Sequence, residues 1–100
     1  MLQVAALWGI YLAVNEAELT ERELVEILER CAAASKAPWT SYVEGRDHEA
    51  GSNFIMVGEG AGRTADIELT GASVADQDFI ANARQDIPRL VAEIRRLRGA

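Results

Sequence analysis

The stretch TERELVEILERC, residues 20–31, decides the first element of the fold. Thr20 and Glu23 have the spacing of a capping box, in which each side chain accepts the other residue's free backbone N–H. The apolar residues that follow recur at i, i+3, i+4 and i+7 and share one helical face: Leu24, Ile27, Leu28 and Cys31. The sequence therefore predicts an amphipathic helix over residues 21–34, which Pro38 prevents from continuing.

Three short segments rich in β-branched and aromatic residues come next, at residues 39–44, 53–57 and 64–70. The third segment alternates, with apolar residues on one face and Asp66 and Glu68 on the other, which is typical of a strand with one solvated side. Polar, glycine-bearing connections separate the segments: residues 45–52 and 58–63. We expect a three-stranded antiparallel meander.

Two helices are predicted at the end of the chain. Ser73 caps the first, over residues 74–83, and Asp86 and Pro88 mark the start of the second, because proline is tolerated in a first helical turn. Apolar spacing assigns the inner faces of the two helices: Phe79, Ile80 and Ala83 in the first, and Ile87, Leu90, Val91, Ile94 and Leu97 in the second. The predicted fold is α+β, a helix, a meander and two helices, in a single domain over residues 1–100 with its core in 15–98.

Residues 1–14 form an apolar N-terminal segment in which residues 2–14 carry no charge. Thirteen residues are too few to span a bilayer, which needs about 20, and no basic region of a signal peptide precedes them. Three interpretations stay open: a strand or helix packed on the domain, a contact in a homo-oligomer, or an extension upstream of the true start. Packing or self-association is favoured, because exposed apolar runs of this size usually mark contacts.

The charge of the chain, −6, is unevenly distributed. Residues 37–73 hold six acidic and two basic residues, whereas residues 74–100 hold four acidic residues and five arginines. This balance disfavours nucleic-acid binding, which needs a basic face, and favours a basic protein partner. The arginines of the last helical turn are interpreted as partners of the helix dipole. Cys31 is the single cysteine, which excludes an intramolecular disulfide and favours a reducing, cytoplasmic setting.

The loop 45–49 holds the only histidine of the chain. His48 could act as a general base oriented by Asp47 or Glu49, or the loop could be a solvated hairpin connection. The second interpretation is favoured, because adjacent residues rarely place a nucleophile, a base and an orienting group within mutual reach. We therefore predict no catalytic residues and no enzymatic activity.

Metal and cofactor sites are not expected either. His48 and Cys31 alone cannot complete a tetrahedral zinc site, and the apolar position of Cys31 is typical of a buried, inert thiol. The glycine-rich residues 58–63 lack the Gly-Lys-Ser/Thr ending of a phosphate loop and precede a strand. They are interpreted as a flexible connection between strands.

A partner-binding surface is predicted on the solvated face of the sheet and its loops, because loops on a rigid scaffold often make contacts. Its candidate residues are mostly acidic: Glu44, Arg46, Asp47, His48, Glu49, Glu59, Asp66 and Glu68. Trp39 and Tyr42 should point to opposite faces of the first strand. We expect one of them in the core and the other at an interface.

The C-terminal sequence ADQDFIANARQDIPRLVAEIRRL, residues 75–97, resembles a tail found in small bacterial and prophage proteins, the Ea-type accessory proteins of lambdoid phages. Such proteins also carry Thr-Pro-Gly-Pro-Trp after an N-terminal helix, of which residues 35–39 keep Pro38 and Trp39. The resemblance implies a mobile or accessory genetic locus and brings no enzymatic activity with it.

Two functions are consistent with these features. The first is a small acidic cytoplasmic inhibitor, such as the immunity partner of a bacterial toxin or effector, which would gain association rate against a basic target by electrostatic steering. The alternative is a phage or prophage accessory protein that acts as a self-associating regulator or a ligand-binding module. Neither predicts a membrane partner.

Overall fold

A computed structural model describes residues 18–99, which form two helices and a three-stranded sheet. The elements in chain order are α1 (Glu21–Ala33), β1 (Trp39–Tyr42), β2 (Phe54–Val57), one 3₁₀ turn (Gly60–Gly62), β3 (Ala65–Ile67) and α2 (Val74–Leu97). The apolar N-terminal segment, for which packing or self-association is predicted, lies outside the described residues.

The start of α1 confirms the predicted capping box. The backbone N–H of Thr20 donates to Glu23 Oε1 at 2.9 Å, and the N–H of Glu23 donates to Thr20 Oγ1 at 3.1 Å. The backbone bond from Thr20 also lowers the pKa of the Glu23 carboxyl. One turn later, Leu24 is completely buried, so the cap fixes the rotation of the helix that brings its apolar face onto the core.

The sheet confirms the predicted antiparallel meander, with strand order β1-β2-β3. In its register, Ser41 lies opposite Ile55 and Ile55 opposite Ile67, so these three residues share one face. That face is covered by α2 and buries Ile55 and Val57. Asp66 lies opposite Met56 on the other face, as the alternation predicts. The strands are shorter than the predicted segments.

The C-terminal region corrects the sequence-based prediction of two helices, because Val74–Leu97 is one helix of 24 residues with Pro88 inside it. Its start is the predicted cap, a reciprocal pair of bonds between Ser73 and Asp76. Pro88 has no N–H to donate to the carbonyl of residue 84, a loss that costs about 3 kcal/mol or more. Burial on both sides of the proline offsets this loss: Ala81 is completely buried before it, and Val91 is 3% exposed after it.

The inner face of α2 also differs from the prediction. Gln77 and Ala81 are buried, whereas Phe79, assigned to the core by its hydrophobicity, is 75% exposed. In the second half of the helix, Val91 is buried as predicted, but Ile87, Leu90 and Leu97 are exposed, as is Ile80 in the first half. Apolar spacing alone selected the wrong side because the face that meets the sheet is partly polar.

Two glutamine amides of α2 hold the sheet against the helix. Gln77 Nε2 donates to the carbonyls of Tyr42 at 3.1 Å and Phe54 at 3.2 Å. Gln85, two turns later, accepts the N–H of Trp39 at 2.7 Å and donates to the Trp39 carbonyl at 3.1 Å. The two amides therefore fasten β1 at both of its ends, a role that sequence reasoning did not assign to either residue.

Neither helix within residues 18–99 has both the length and the apolarity that crossing a membrane demands.

Candidate functional site

The connection between β1 and β2, residues 43–53, holds most of the candidate partner-binding residues. It begins with a tight turn in which the Val43 carbonyl accepts the N–H groups of Arg46 and Asp47. The Asp47 side chain in return accepts the N–H of Val43 at 2.8 Å. The carbonyl of His48 accepts the N–H of Gly45 at 2.8 Å. The first half of this loop is therefore an ordered turn with its backbone groups paired.

Arg46 joins this loop to α2. Its two terminal nitrogens donate to the two carboxylate oxygens of Asp78, at 2.8 and 3.0 Å, and its Nε donates to Asp47 at 3.0 Å. Hydrogen bonds from Arg46, and then from Ser41, lower the pKa of Asp78 to about 2. Arg46 and the Val43 N–H lower the pKa of Asp47 as well. Arg46 and Asp47, predicted to bind a partner, thus have intramolecular partners that position the loop.

The Arg46–Asp78 pair predicts a pH dependence of stability. The pKa of Asp78 falls from an ordinary value of 3.8 to about 2 on folding, so the ionised carboxylate stabilises the folded protein. This contribution is fully present above the ordinary pKa and is lost as the pH falls toward about 2. We expect Asp78→Asn to flatten the decline of the free energy of unfolding across this window, measured by urea denaturation.

Asp86→Asn is the matched control for this measurement. Asp86 lies on the same helix and is exposed, and its carboxylate makes no ion pair within residues 18–99. We expect the control to decline with pH as the wild type does. An unchanged decline in Asp78→Asn would contradict the assignment.

His48 packs its ring against the outer face of the sheet. The ring centroid lies 5.1 Å from that of Phe54 and 6.2 Å from that of Tyr42. Nδ1 accepts the N–H of Ala50 at 2.9 Å, so a neutral imidazole carries its proton on Nε2. Nε2 is buried and has no hydrogen-bond partner among the described residues. In this arrangement the imidazole completes the loop and presents no free lone pair to a substrate.

The carboxylate beside the His48 ring is that of Glu44, and not that of Asp47 or Glu49, the orienting groups of the general-base interpretation. Glu44 Oε2 lies 3.6 Å from His48 Nδ1 and accepts the N–H of Gly51 at 2.8 Å. Sequence reasoning missed this neighbour, although the i, i+4 spacing of the two residues across a tight turn is a signal that could have found it.

The remaining acidic candidates lie at two ends of the sheet. Glu49 and Glu68 are exposed at the end where β1 stops and β2 begins, the end that Glu44 also occupies. We name Glu44, Glu49 and Glu68 the acidic end. Glu59 belongs to the connection between β2 and β3, at the opposite end. The structure therefore brings together only part of the predicted surface.

Asp66 is paired within the chain. It lies on the outer face of β3, where one terminal nitrogen of Arg63 donates to both of its carboxylate oxygens at 2.8 Å. Since Arg46 and Arg63 are the only lysine or arginine residues in 37–73, both of these positive charges are held by carboxylates of this chain.

A second concave feature lies between the helices. Trp39 faces α2, and its Nε1 donates to the carbonyl of Ser35 at 3.2 Å, whereas Tyr42 stacks on Phe54 on the outer face. An open, mostly apolar cleft of about 460 Å³ runs beside Trp39. Its apolar walls come from both helices: Ile27, Cys31, Ala34, Ile80, Ala83 and Ile87.

Neither feature provides a metal centre. Within residues 18–99, no three histidine, cysteine, aspartate or glutamate side chains approach closely enough to hold a metal ion. Comparison of the chain with protein-family models, characterised proteins and solved structures finds no match.

Proposed function

We propose that this chain is a small protein-binding protein of the inhibitor or immunity type, which docks a basic bacterial toxin or effector in the cytoplasm through its acidic end. The observation that carries the proposal is the pairing of Arg46 with Asp78 and of Arg63 with Asp66. Because both arginines of the sheet region are paired within the chain, Glu49 and Glu68 of the acidic end keep an uncompensated negative charge for a partner, whereas Glu44 also accepts the N–H of Gly51.

The preorganisation of the loop supports the same function. The reciprocal hydrogen bonds of Val43 and Asp47 order the loop in the unbound protein. The two hydrogen bonds from Arg46 to Asp78 fix the loop to α2. An ordered loop loses less conformational entropy on binding, so more of the contact energy remains as affinity. Exposed carboxylates at the rim of such a contact act mainly on the association rate.

Charge reversal tests this function. We expect the chain, immobilised as bait, to capture a basic protein encoded by a neighbouring gene at low salt and to release it at high salt. In the variant Glu49→Lys, Glu68→Lys, association should be slowed by roughly tenfold or more, because steering depends on the local potential. Surface plasmon resonance of the purified pair measures both the rate and its salt dependence.

The matched control reverses two exposed glutamates of α1, as Glu26→Lys, Glu29→Lys, and changes the net charge by the same amount. This variant should associate at close to the wild-type rate. An equal loss in both variants would show that only the overall charge matters, and the absence of any basic partner would count against the function itself.

A second candidate function is the phage or prophage accessory protein suggested by the resemblance of residues 75–97. The observation that favours it is the exposed apolar surface of α2, where Phe79, Leu90 and Leu97 lie outside the core. A self-associating regulator requires such a surface.

A further inference from the structure

The apolar residues of α2 that point away from the sheet form a continuous face. The helix turns Gln77, Ala81 and Val91 toward the rest of the chain, so residues about half a turn away from these point outward. Leu90 is 59% exposed and Leu97 is 69% exposed. Large apolar side chains aligned in this way usually mark a contact with another molecule.

The apolar residues along this side of α2 repeat with the period of a coiled coil, and Ile80, Ala83 and Ile87 among them also line the cleft toward α1. Isoleucines occur every seven residues, and a second set begins three residues after the first isoleucine: Ile80, Ile87 and Ile94, then Ala83, Leu90 and Leu97. These are the a and d positions of two and a half heptads, a seam about 27 Å long at 1.5 Å per residue. We name these six residues the heptad face.

The residue types on the heptad face indicate how many helices the coiled coil contains. Isoleucine at a together with leucine at d favours a parallel pair of helices over trimers and tetramers. All three a positions are isoleucine, and two of the three d positions are leucine. Ala83, the smaller residue, lies where the heptad face borders the cleft beside Trp39.

The flanking charges indicate a second copy of this chain and its direction. Glu93 is at a g position, where it also forms an exposed ion pair with Arg96 of its own chain, and Arg98 is at the e position of the next heptad. In a parallel pair these two positions face each other across the seam, so Glu93 of each copy would meet Arg98 of the other. In an antiparallel pair g positions face g positions, and Asp86 would lie near Glu93 of the other copy, which is repulsive.

We propose that this chain forms a parallel, two-fold symmetric homodimer through the heptad face of α2. A partner helix on this face also covers the adjoining edge of the cleft, where Ile27 and Cys31 of α1 lie beside Ile80 and Ile87. The dimer uses a surface distinct from the acidic end and does not depend on the basic-partner function.

The mass of the full chain in solution tests the dimer. We expect sedimentation equilibrium at concentrations on the order of 100 μM to give the dimer mass, since a micromolar dissociation constant is then exceeded. Leu90→Glu should raise the dissociation constant by roughly tenfold or more, because each copy loses a buried leucine and gains a charge at the seam. Ala92→Glu, an exposed change two residues along the same helix, is the matched control and should leave the dimer intact.

Exchanging the charges of Glu93 and Arg98 tests the dimer without changing the apolar residues of the heptad face. Glu93→Arg and Arg98→Glu should each weaken the dimer, because each places like charges opposite one another, and the double variant should restore it. Rescue in the double variant identifies the intermolecular pair. Circular dichroism of each variant confirms that the helix is retained.

Cross-linking determines the direction of the helices. In a Cys31→Ser background, Leu97→Cys places two thiols at the same seam layer of a parallel dimer, and mild oxidation should link the copies. Ala92→Cys, which points away from the seam, should not. A monomeric full chain, a dimer insensitive to Leu90→Glu, or failure of Leu97→Cys to cross-link would each overturn the proposal.

Discussion

Replacing Gln77 by leucine is expected to lower the free energy of unfolding by about 2–4 kcal/mol, since the buried hydrogen bonds of its amide would be lost and each contributes about 0.5–1.5 kcal/mol. Gln77 is 3% exposed. Its amide donates to the carbonyls of Tyr42 and Phe54 and to the hydroxyl of Ser41. Leucine is apolar and of similar size, but it supplies no donor. Urea denaturation followed by tryptophan fluorescence measures the change.

The variant Gln77→Glu tests the same hydrogen bonds by replacing the donor amide with an acceptor carboxylate. A carboxylate has no hydrogen to donate and would face two carbonyl oxygens, so we expect a larger loss than for leucine at neutral pH. The loss should shrink in acid, because a protonated carboxyl regains one donor. Asn82→Leu is the control: its amide donates only to the Asp78 carbonyl of its own helix. Stability equal to wild type in Gln77→Leu would show that the buried amide is not what holds the strand.

The second large effect is expected at Gly58, where Gly58→Ala should cost about 3 kcal/mol or more, from a positive φ and a backbone clash together. The φ angle of Gly58 is +77°, and its N–H donates to the carbonyl of Pro38 at 2.9 Å. An added Cβ would lie 2.2 Å from the carbonyl oxygen of Gly62 and 2.8 Å from its carbon. Both are backbone atoms, so the short connection itself would have to move.

The variant Gly60→Ala separates the steric clash of an added Cβ from the strain of a positive φ angle. Gly60 lies in the same connection and also has a positive φ, +54°, but a Cβ there meets no atom within 4 Å. We therefore expect Gly60→Ala to cost only about 1 kcal/mol, the usual penalty of alanine in this conformation. Equal losses at the two positions would contradict the predicted clash. The comparison requires only thermal or urea unfolding of three proteins.

The parts of the fold that were predictable from sequence are those set by local chemistry. The capping boxes at Thr20 and Ser73 are read from residues three apart, and both are present. The alternation around Asp66 fixed which side of β3 faces outward, because a strand reverses its side chains at every residue. These signals do not depend on distant parts of the chain.

The errors arose where tertiary contacts overrule local preference. Pro88 predicts a new helix start, yet burial of Ala81 and Val91 on its two sides keeps one helix continuous. Hydrophobicity assigned Phe79 to the core, whereas the core position belongs to Gln77, whose amide satisfies the strand carbonyls. A sequence does not show that a buried carbonyl needs a donor until the strand has been placed against the helix.

The candidate site was predictable as a region but not as an arrangement. The loop 45–49 is polar and contains both an arginine and a histidine, which identified it. That Arg46 reaches Asp78, 32 residues away, depends on the packing of the whole domain. The same packing places Glu68 with Glu49 at one end of the sheet and Glu59 at the other, a division that spacing along the chain does not reveal.

The glutamine pair on α2 has a consequence for protein engineering. Gln77 and Gln85 bond to main-chain atoms of β1, which any residue in that strand supplies. The docking of the strand is therefore largely indifferent to its outward side chains. Thr40, on the outward side, and the exposed Ser52 in the loop can be randomised in a library while α2 keeps its hydrogen bonds to β1. The domain would then serve as a compact display scaffold whose variable surface is decoupled from its folding determinants.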